Sequence, residues 1–261
     1  MMLGPLSLTS LQTGETTAIG VLIGLLGGLF GKGGSAVATP LLRLIGLPGF
    51  IAVASPLPAT APSTLVASAA YWKEGFIDWR VVRWGVAIGI PATIIGALLS
   101  KVTGSNFLLL LTGFLVMGFG VSFLFVRIKK IDDTQEFVGG EPNHFTFRIA
   151  AISVVVGVIS GLLANSGGFL FAPLYAKVLR LRIKSAFACS LVVSAVLAIP
   201  GTLVHWYLGH ISWWVTLLVA IGSVPLSYIG ARIAIRSDSA RLEQAYGVVL
   251  TLLGAFFIFH H

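Results

Sequence analysis

Charge is what this chain has least of. Only 10% of its 261 residues are Asp, Glu, Lys or Arg, against about a quarter in soluble domains, and 56% are hydrophobic. That shortage excludes an ordinary soluble domain. Apolar runs recur over the whole length (mean hydropathy +0.97), and the one polar interruption runs from Arg127 to Arg148. Acids are scarcer still, 9 against 17 Lys and Arg, and none lies deep in an apolar segment. Glu15 precedes the first segment, while Glu74, Asp78, Asp238 and Glu243 fall in loops. An intramembrane enzyme of the undecaprenyl-diphosphate phosphatase type needs buried carboxylates and a Ser/Arg cluster, which the chain lacks, so such an enzyme is the lesser alternative. No cofactor and no metal ion is expected. A single cysteine, Cys189, rules out an intrachain disulfide. The opening MMLGPLSLTSLQTGE lacks a basic n-region and reads as a mature end rather than a signal peptide. The net charge of +8 does not point to nucleic acid, because no basic stripe with interleaved aromatics exists outside the loops.

What is present is written twice. Pro40-Leu41 aligns with Pro173-Leu174, and Gly24, Gly28 and Gly34 with Gly157, Gly161 and Gly167. "WKEGFIDW" (72–79) then aligns with "WYLGHISW" (206–213), "IPATIIGA" (90–97) with "VPLSYIGA" (224–231), and Gly113 with Gly247. One single-residue adjustment between Leu42 and Ala54 suffices. A repeat of this length and order marks two homologous halves. The chain is a single membrane domain, 1–261, with repeat 1 at 16–127, a cytoplasmic linker at 128–147 and repeat 2 at 148–259.

Each half carries two short apolar segments (17–30 and 35–47; 149–163 and 168–181) and then three long ones (51–71, 81–101 and 106–127; 185–207, 213–234 and 242–259). About 14 residues at 1.5 Å rise give roughly 21 Å, short of about 30 Å of hydrocarbon. The short pair is therefore a re-entrant hairpin or one broken crossing, and two full crossings would give the same parity as a hairpin. Charge selects between the parities. With paired short segments and the N-terminus outside, cytoplasmic loops hold 14 of the 17 basic residues; single crossings would scatter them over both faces. Cytoplasmic loops collect Lys and Arg, so the expected fold is an all-α integral membrane protein. Its two halves form an inverted repeat, each a short-helix pair plus three transmembrane helices, with both termini outside. Trp72, Trp79, Trp84, Trp206, Trp213 and Trp214 fall at segment ends as interfacial anchors.

The stretch "GGLFGKGGSAVATPLL" (27–42) concentrates glycine where the chain must turn inside the membrane. Irregular backbone at that depth survives only when buried in protein or lining a cavity. Its free N–H groups and the helix dipole, roughly +0.5 charge, suit an anion. Two such tips, Gly31–Ser35 (with Lys32, Gly33 and Gly34) and Asn165–Gly168 (with Ser166 and Gly167), are expected to approach each other near the bilayer centre, the usual binding place in repeat transporters. A lysine there costs at least about 2.5 kcal/mol; with no acid to pair Lys32, the substrate is its expected partner. The competing role for these glycines is close helix packing. Hydroxyls of the third segments, Ser55, Thr60, Ser190 and Ser194, are the preferred additional ligands, although membrane hydroxyls often bond back to their own helix.

"GKGGSAVATPLL" and "NSGGFLFAPL", "ACSL", "GFIDW" and "GHISW", and the two "IGA" segments resemble the sulfite exporter TauE/SafE family of bacterial anion permeases over nearly the whole chain. Lys32 interrupts the glycine run, Asn165-Ser166 replace glycines, and Pro56 stands opposite Ser190. The resemblance implies a secondary transporter in the bacterial cytoplasmic (inner) membrane, carrying sulfite, sulfoacetate or another organosulfonate, with proton linkage. The anion would sit between the two Gly-rich breaks during alternating access. A channel of the same architecture is the alternative. For proton coupling the residues offer His205, near the outer end of its helix. The expected partners are a small anion, protons and the bilayer, with a monomer and a homodimer both open.

Overall fold

The computed structural model describes residues 8–31, 35–100, 114, 117, 118, 120–122 and 142–259. Most of the expected segment 106–127 and of the linker 128–147 lies outside the described residues. All regular elements among the described residues are α-helices. They are α1 (Ser10–Phe30), α2 (Ser35–Leu44), α3 (Gly49–Ala54), α4 (Pro56–Lys73) and α5 (Trp79–Leu99), then α6 (Pro142–Leu162), α7 (Gly168–Lys177), α8 (Ile183–Tyr207), α9 (Trp213–Arg236) and α10 (Ser239–Phe259). Six stretches are long and apolar enough to cross a membrane: α1, α3 with α4 as one 25-residue run, α5, most of α6, α8 and α9. The chain is a multi-pass membrane protein.

The leading helix of each half is longer than the apolar pattern predicts. Thr9 caps α1, its side chain accepting from Gln12 N while the Gln12 side chain accepts from Thr9 N. This capping box starts the helix in polar sequence, well before residue 17. At 21 residues each, α1 and α6 reach about 31 Å. The second helices, α2 and α7, stay short at 10 residues each. Gln12 Nε2 donates to Ile45 O at 3.1 Å, so the chain leaving α2 returns to the first turn of α1. The pair is a hairpin of one long and one short arm.

Glycine brings the halves together. A Cβ on Gly20 would lie 2.7 Å from Val219 O, on Gly24 2.4 Å from Ser223 O and on Gly28 1.9 Å from Ser227 O. The partner positions rise together, so α1 and α9 run in the same direction. The same contact recurs between α6 and α5: a Cβ on Gly157 would meet Gly89 O at 3.0 Å and on Gly161 Thr93 O at 2.0 Å. The reciprocal glycines correspond as well, Gly230 against Leu25 O at 2.2 Å and Gly96 against Val158 O at 2.1 Å. With so little driving force between apolar helices in lipid, backbone approach through small residues is what holds them. The packing role weighed for the glycines therefore applies to those inside α1 and α6.

The third helices occupy the centre. Leu57, in the first turn of α4, meets Gly201 near the end of α8, so α4 and α8 pack in opposite directions. Ser227 Oγ donates to Ser63 O at 2.7 Å and Thr216 Oγ1 to Ser55 O at 2.7 Å, fixing α4 beside α9 in the same direction. Val193 and Leu197 of α8 face Gly85 and Gly89 of α5, again in the same direction. Thus α1, α4 and α9 run one way, and α5, α6 and α8 the other. Phe30, Phe187 and Tyr246 pack ring against ring at 5.2–6.4 Å, Phe30 stacked on Tyr246 and Phe187 edge-on to both, filling the space between α1, α8 and α10.

Candidate functional site

The two glycine breaks begin alike. Gly31 ends α1 in the left-handed region at φ 64°, and Ala164, at the corresponding place after α6, has φ 48°. A left-handed residue is the ordinary way to stop a helix, and glycine adopts it without strain. After Ala164 the chain stays irregular for three residues. Asn165 N donates to Ser160 O at 2.8 Å, and Asn165 Oδ1 accepts from Gly167 N at 3.4 Å. Gly167, at φ 76°, turns the backbone into α7, whose first N–H groups have no partner within the helix.

The second break is buried: Asn165 is 5% exposed and Ser166 0%. Among the described residues the hydroxyls of Ser166, Ser160, Ser194 and Thr93 are buried without a hydrogen-bond partner. Ser160 borders the break directly, since a Cβ on Gly167 would come 2.4 Å from its Oγ. Thr93 lies where α5 meets Gly161 of α6 and Gly201 of α8. An unpartnered buried hydroxyl costs about 1–3 kcal/mol, and those of Ser160 and Ser166, beside the start of α7, can donate to an anion.

Of the hydroxyls chosen from the sequence, three are engaged by the protein. Ser55 Oγ accepts from Ser212 N at 2.9 Å, and Thr60 Oγ1 bonds back to Pro56 O at 3.2 Å. Ser190 Oγ donates to the carbonyl of Gly31 and lies 3.0 Å from Phe187 O, clamping the end of α1 onto α8, where a Cβ on Gly31 would meet Phe187 Cα at 2.4 Å. Ser194, one turn further along α8, keeps its hydroxyl free. Lys32, Gly33 and Gly34 lie outside the described residues, and Ser35 opens α2.

The structure gathers Asn165, Ser166, Gly167 and Gly168 with Ser160 in one place, and Gly31 with Ser190 in another. Gly161 O lies 2.9 Å from His205 Nε2, so α1 ends level with Ser190 and α6 ends level with His205. Fifteen residues of α8 separate these levels, about 22 Å. Sequence reasoning passed over Ser160 and Thr93. The available signal was a hydroxyl close to a glycine of each helix contact: Ser160 directly precedes Gly161, and Thr93 lies three residues before Gly96.

The chain is similar to known proteins over nearly its whole length. A family model described as sulfite exporter TauE/SafE matches residues 16–257. The chain is 24% identical to the probable membrane transporter protein YunE of Bacillus subtilis, over 92% of this chain and 95% of that protein. It is 25% identical to a probable membrane transporter protein of Xylella fastidiosa, covering 93% and 94%. A probable membrane transporter protein of Methanocaldococcus jannaschii is likewise 25% identical, covering 92% and 93%. No solved structure matches the chain. With both glycine breaks inside the matched span, the chain belongs to the sulfite exporter TauE/SafE family.

Proposed function

We propose that the protein is a secondary transporter of small sulfur oxyanions or organosulfonates such as sulfite or sulfoacetate, working by alternating access. The anion is held at the glycine breaks. Gly167, Gly168 and the hydroxyls of Ser166 and Ser160 form the described part of the site, and Lys32 is the counter-charge at the other break, which the anion meets on its way across. The observation that carries this reading is the hydroxyl of Ser166, fully buried, unpartnered among the described residues, and set against the start of α7. Donors without acceptors beside a helix N-terminus leave room for a guest that accepts hydrogen bonds and carries negative charge.

The two halves act as an inverted repeat, the basic loops lie in the cytoplasm and both termini lie outside, in a bacterial inner membrane. The opposite directions of corresponding helices (α1 and α6, α4 and α8, α5 and α9) support the inversion. No enzymatic step is assigned. The test is a thermal-shift screen of sulfite, thiosulfate, sulfoacetate, taurine and small carboxylates on purified protein, followed by uptake into proteoliposomes. Saturable uptake with trans-stimulation is expected, and Lys32→Ala is expected to weaken uptake far more than folding. Flux that rises without saturation would instead support a channel.

A further inference from the structure

The central helices of the two halves end on one constellation built from different side chains. Tyr71, near the end of α4, donates its hydroxyl to Gly28 O at 3.2 Å, and Phe76, five residues on, meets its ring edge-on at 6.3 Å. In the second half His205, near the end of α8, sets Nε2 2.9 Å from Gly161 O, and His210, five residues on, lies 5.5 Å away ring to ring. Tyr71 and His205 precede the matched motifs directly, and Phe76 and His210 occupy the same place within them. Holding a glycine carbonyl and packing a ring beside it therefore requires no ionisable group. The one property the second half adds is the capacity to bind a proton.

The geometry fixes where that proton goes. A carbonyl only accepts, so His205 Nε2 carries hydrogen and, in the neutral ring, Nδ1 carries the lone pair. His210 Nδ1, 3.2 Å from His205 Nδ1, must then be the donor between them. The free lone pair of the pair is on Nε2 of half-buried His210, which stacks on Phe50 at 4.6 Å in the connection before α9. A proton from water binds His210 Nε2. Transfer of the Nδ1 proton to His205 Nδ1 then moves the charge onto buried His205, with one proton gained in all. A second proton would set two N–H groups against each other across 3.2 Å. Among the described residues the cation on this side is Arg43, whose guanidinium lies against Gly49 next to Phe50; burial, the Gly161 carbonyl and the rings themselves act on the pair. Burial holds the His210 pKa below its ordinary value, so charging belongs to the acid side of neutrality.

We propose that His210 and His205 form a one-proton relay that charges the C-terminal end of α6 as an anion occupies the Asn165–Gly168 break. A cation at a helix C-terminus is favoured by the dipole, and this one stands at Gly161, four residues before Asn165. Proton uptake and anion binding then strengthen each other by the same factor, as linkage requires. The relay rests on the transport reading given above.

The decisive variant replaces the pair with its counterpart from the first half, His205→Tyr together with His210→Phe, which keeps a donor for Gly161 O. Sulfoacetate affinity and uptake are measured between about pH 6 and pH 8, where both its acid groups stay ionised. An internal pH dye reports proton entry. Wild-type affinity is expected to fall about fivefold or more over that range, within the usual span of site coupling, while the variant binds with a flat profile and its uptake carries no protons. Equal pH dependence in both proteins overturns the relay and leaves the transport reading standing. Absence of anion uptake by the wild type overturns the transport reading, and the relay's coupling with it. Imidazole nitrogen NMR on the wild type without substrate is expected to show one shared protonation step, and two independent titrations would overturn the relay by themselves. Should the double variant not fold, His210→Phe alone carries the same comparisons.

Discussion

Replacing Ser166 by alanine should make the protein both more stable and a worse binder. The hydroxyl is 0% exposed and has no partner among the described residues. In the unfolded chain it is hydrated, so the empty folded protein bears a desolvation cost of about 1–3 kcal/mol. Ser166→Ala removes that cost and leaves a space of one oxygen atom. The expected gain is about 1 kcal/mol, which at this chain length raises the melting temperature by roughly 2–4 °C. With an anion bound, the same hydroxyl makes a charge-assisted hydrogen bond worth about 1.5–3 kcal/mol, so the variant should bind sulfoacetate roughly 10- to 150-fold more weakly. Thermal unfolding in detergent with and without ligand reads both quantities in one experiment. The ligand-induced shift should shrink while the ligand-free curve moves up. A variant that melts lower and retains full affinity refutes the reasoning, because the hydroxyl would then be bonded within the protein.

Ser190→Ala should behave oppositely: its hydroxyl holds Gly31 O, so the melting temperature should fall, by about 1 kcal/mol in stability, with a smaller effect on affinity. Gly161→Ala sets a Cβ 2.0 Å from Thr93 O and 2.7 Å from Ala97 N, rigid backbone on both counts, and should cost about 1–3 kcal/mol. Gly14→Ala, with nothing within 4 Å of the new Cβ, should be neutral or stabilising by up to about 1 kcal/mol in the same melting assay. For pH, the unfolded chain takes a proton at His210 before the folded chain does, since burial lowers the folded value. Stability is thus full above about pH 6.5 and falls as pH drops through the depressed value. His210→Phe should remove that component from a melting series across the range.

The helices and their pairing by repeat were legible because apolar length and the order of Gly, Pro and Trp survive in one dimension. The start of α1 was not: residues 10–16 are polar apart from Leu11 and Gly14, and a capping box at Thr9 and Gln12, rather than hydropathy, carries the helix through them. The glycine pattern announced two roles at once, close packing and a break. Only the structure separates Gly20, Gly24 and Gly28, which touch α9, from Gly167, which turns the chain. Hydroxyls were the least legible. Ser55, Thr60, Ser190 and Ser194 look alike as letters, yet a hydroxyl is occupied or free according to which carbonyl or amide stands within reach, and for Ser55 and Ser190 that neighbour comes from the other half. Ala164 adopts a left-handed conformation where its counterpart is glycine; no residue type there signals it.

The glycine faces of α1 and α6 find their mates in the opposite half, α1 on α9 and α6 on α5. During synthesis α1 enters the membrane nearly two hundred residues before α9 exists, and must wait there with a bare backbone groove. Either half made alone would keep one such groove open, so the two would have to be produced together to recover a working molecule. Inheritance by duplication and assembly by exchange thus divide the same chain along different lines.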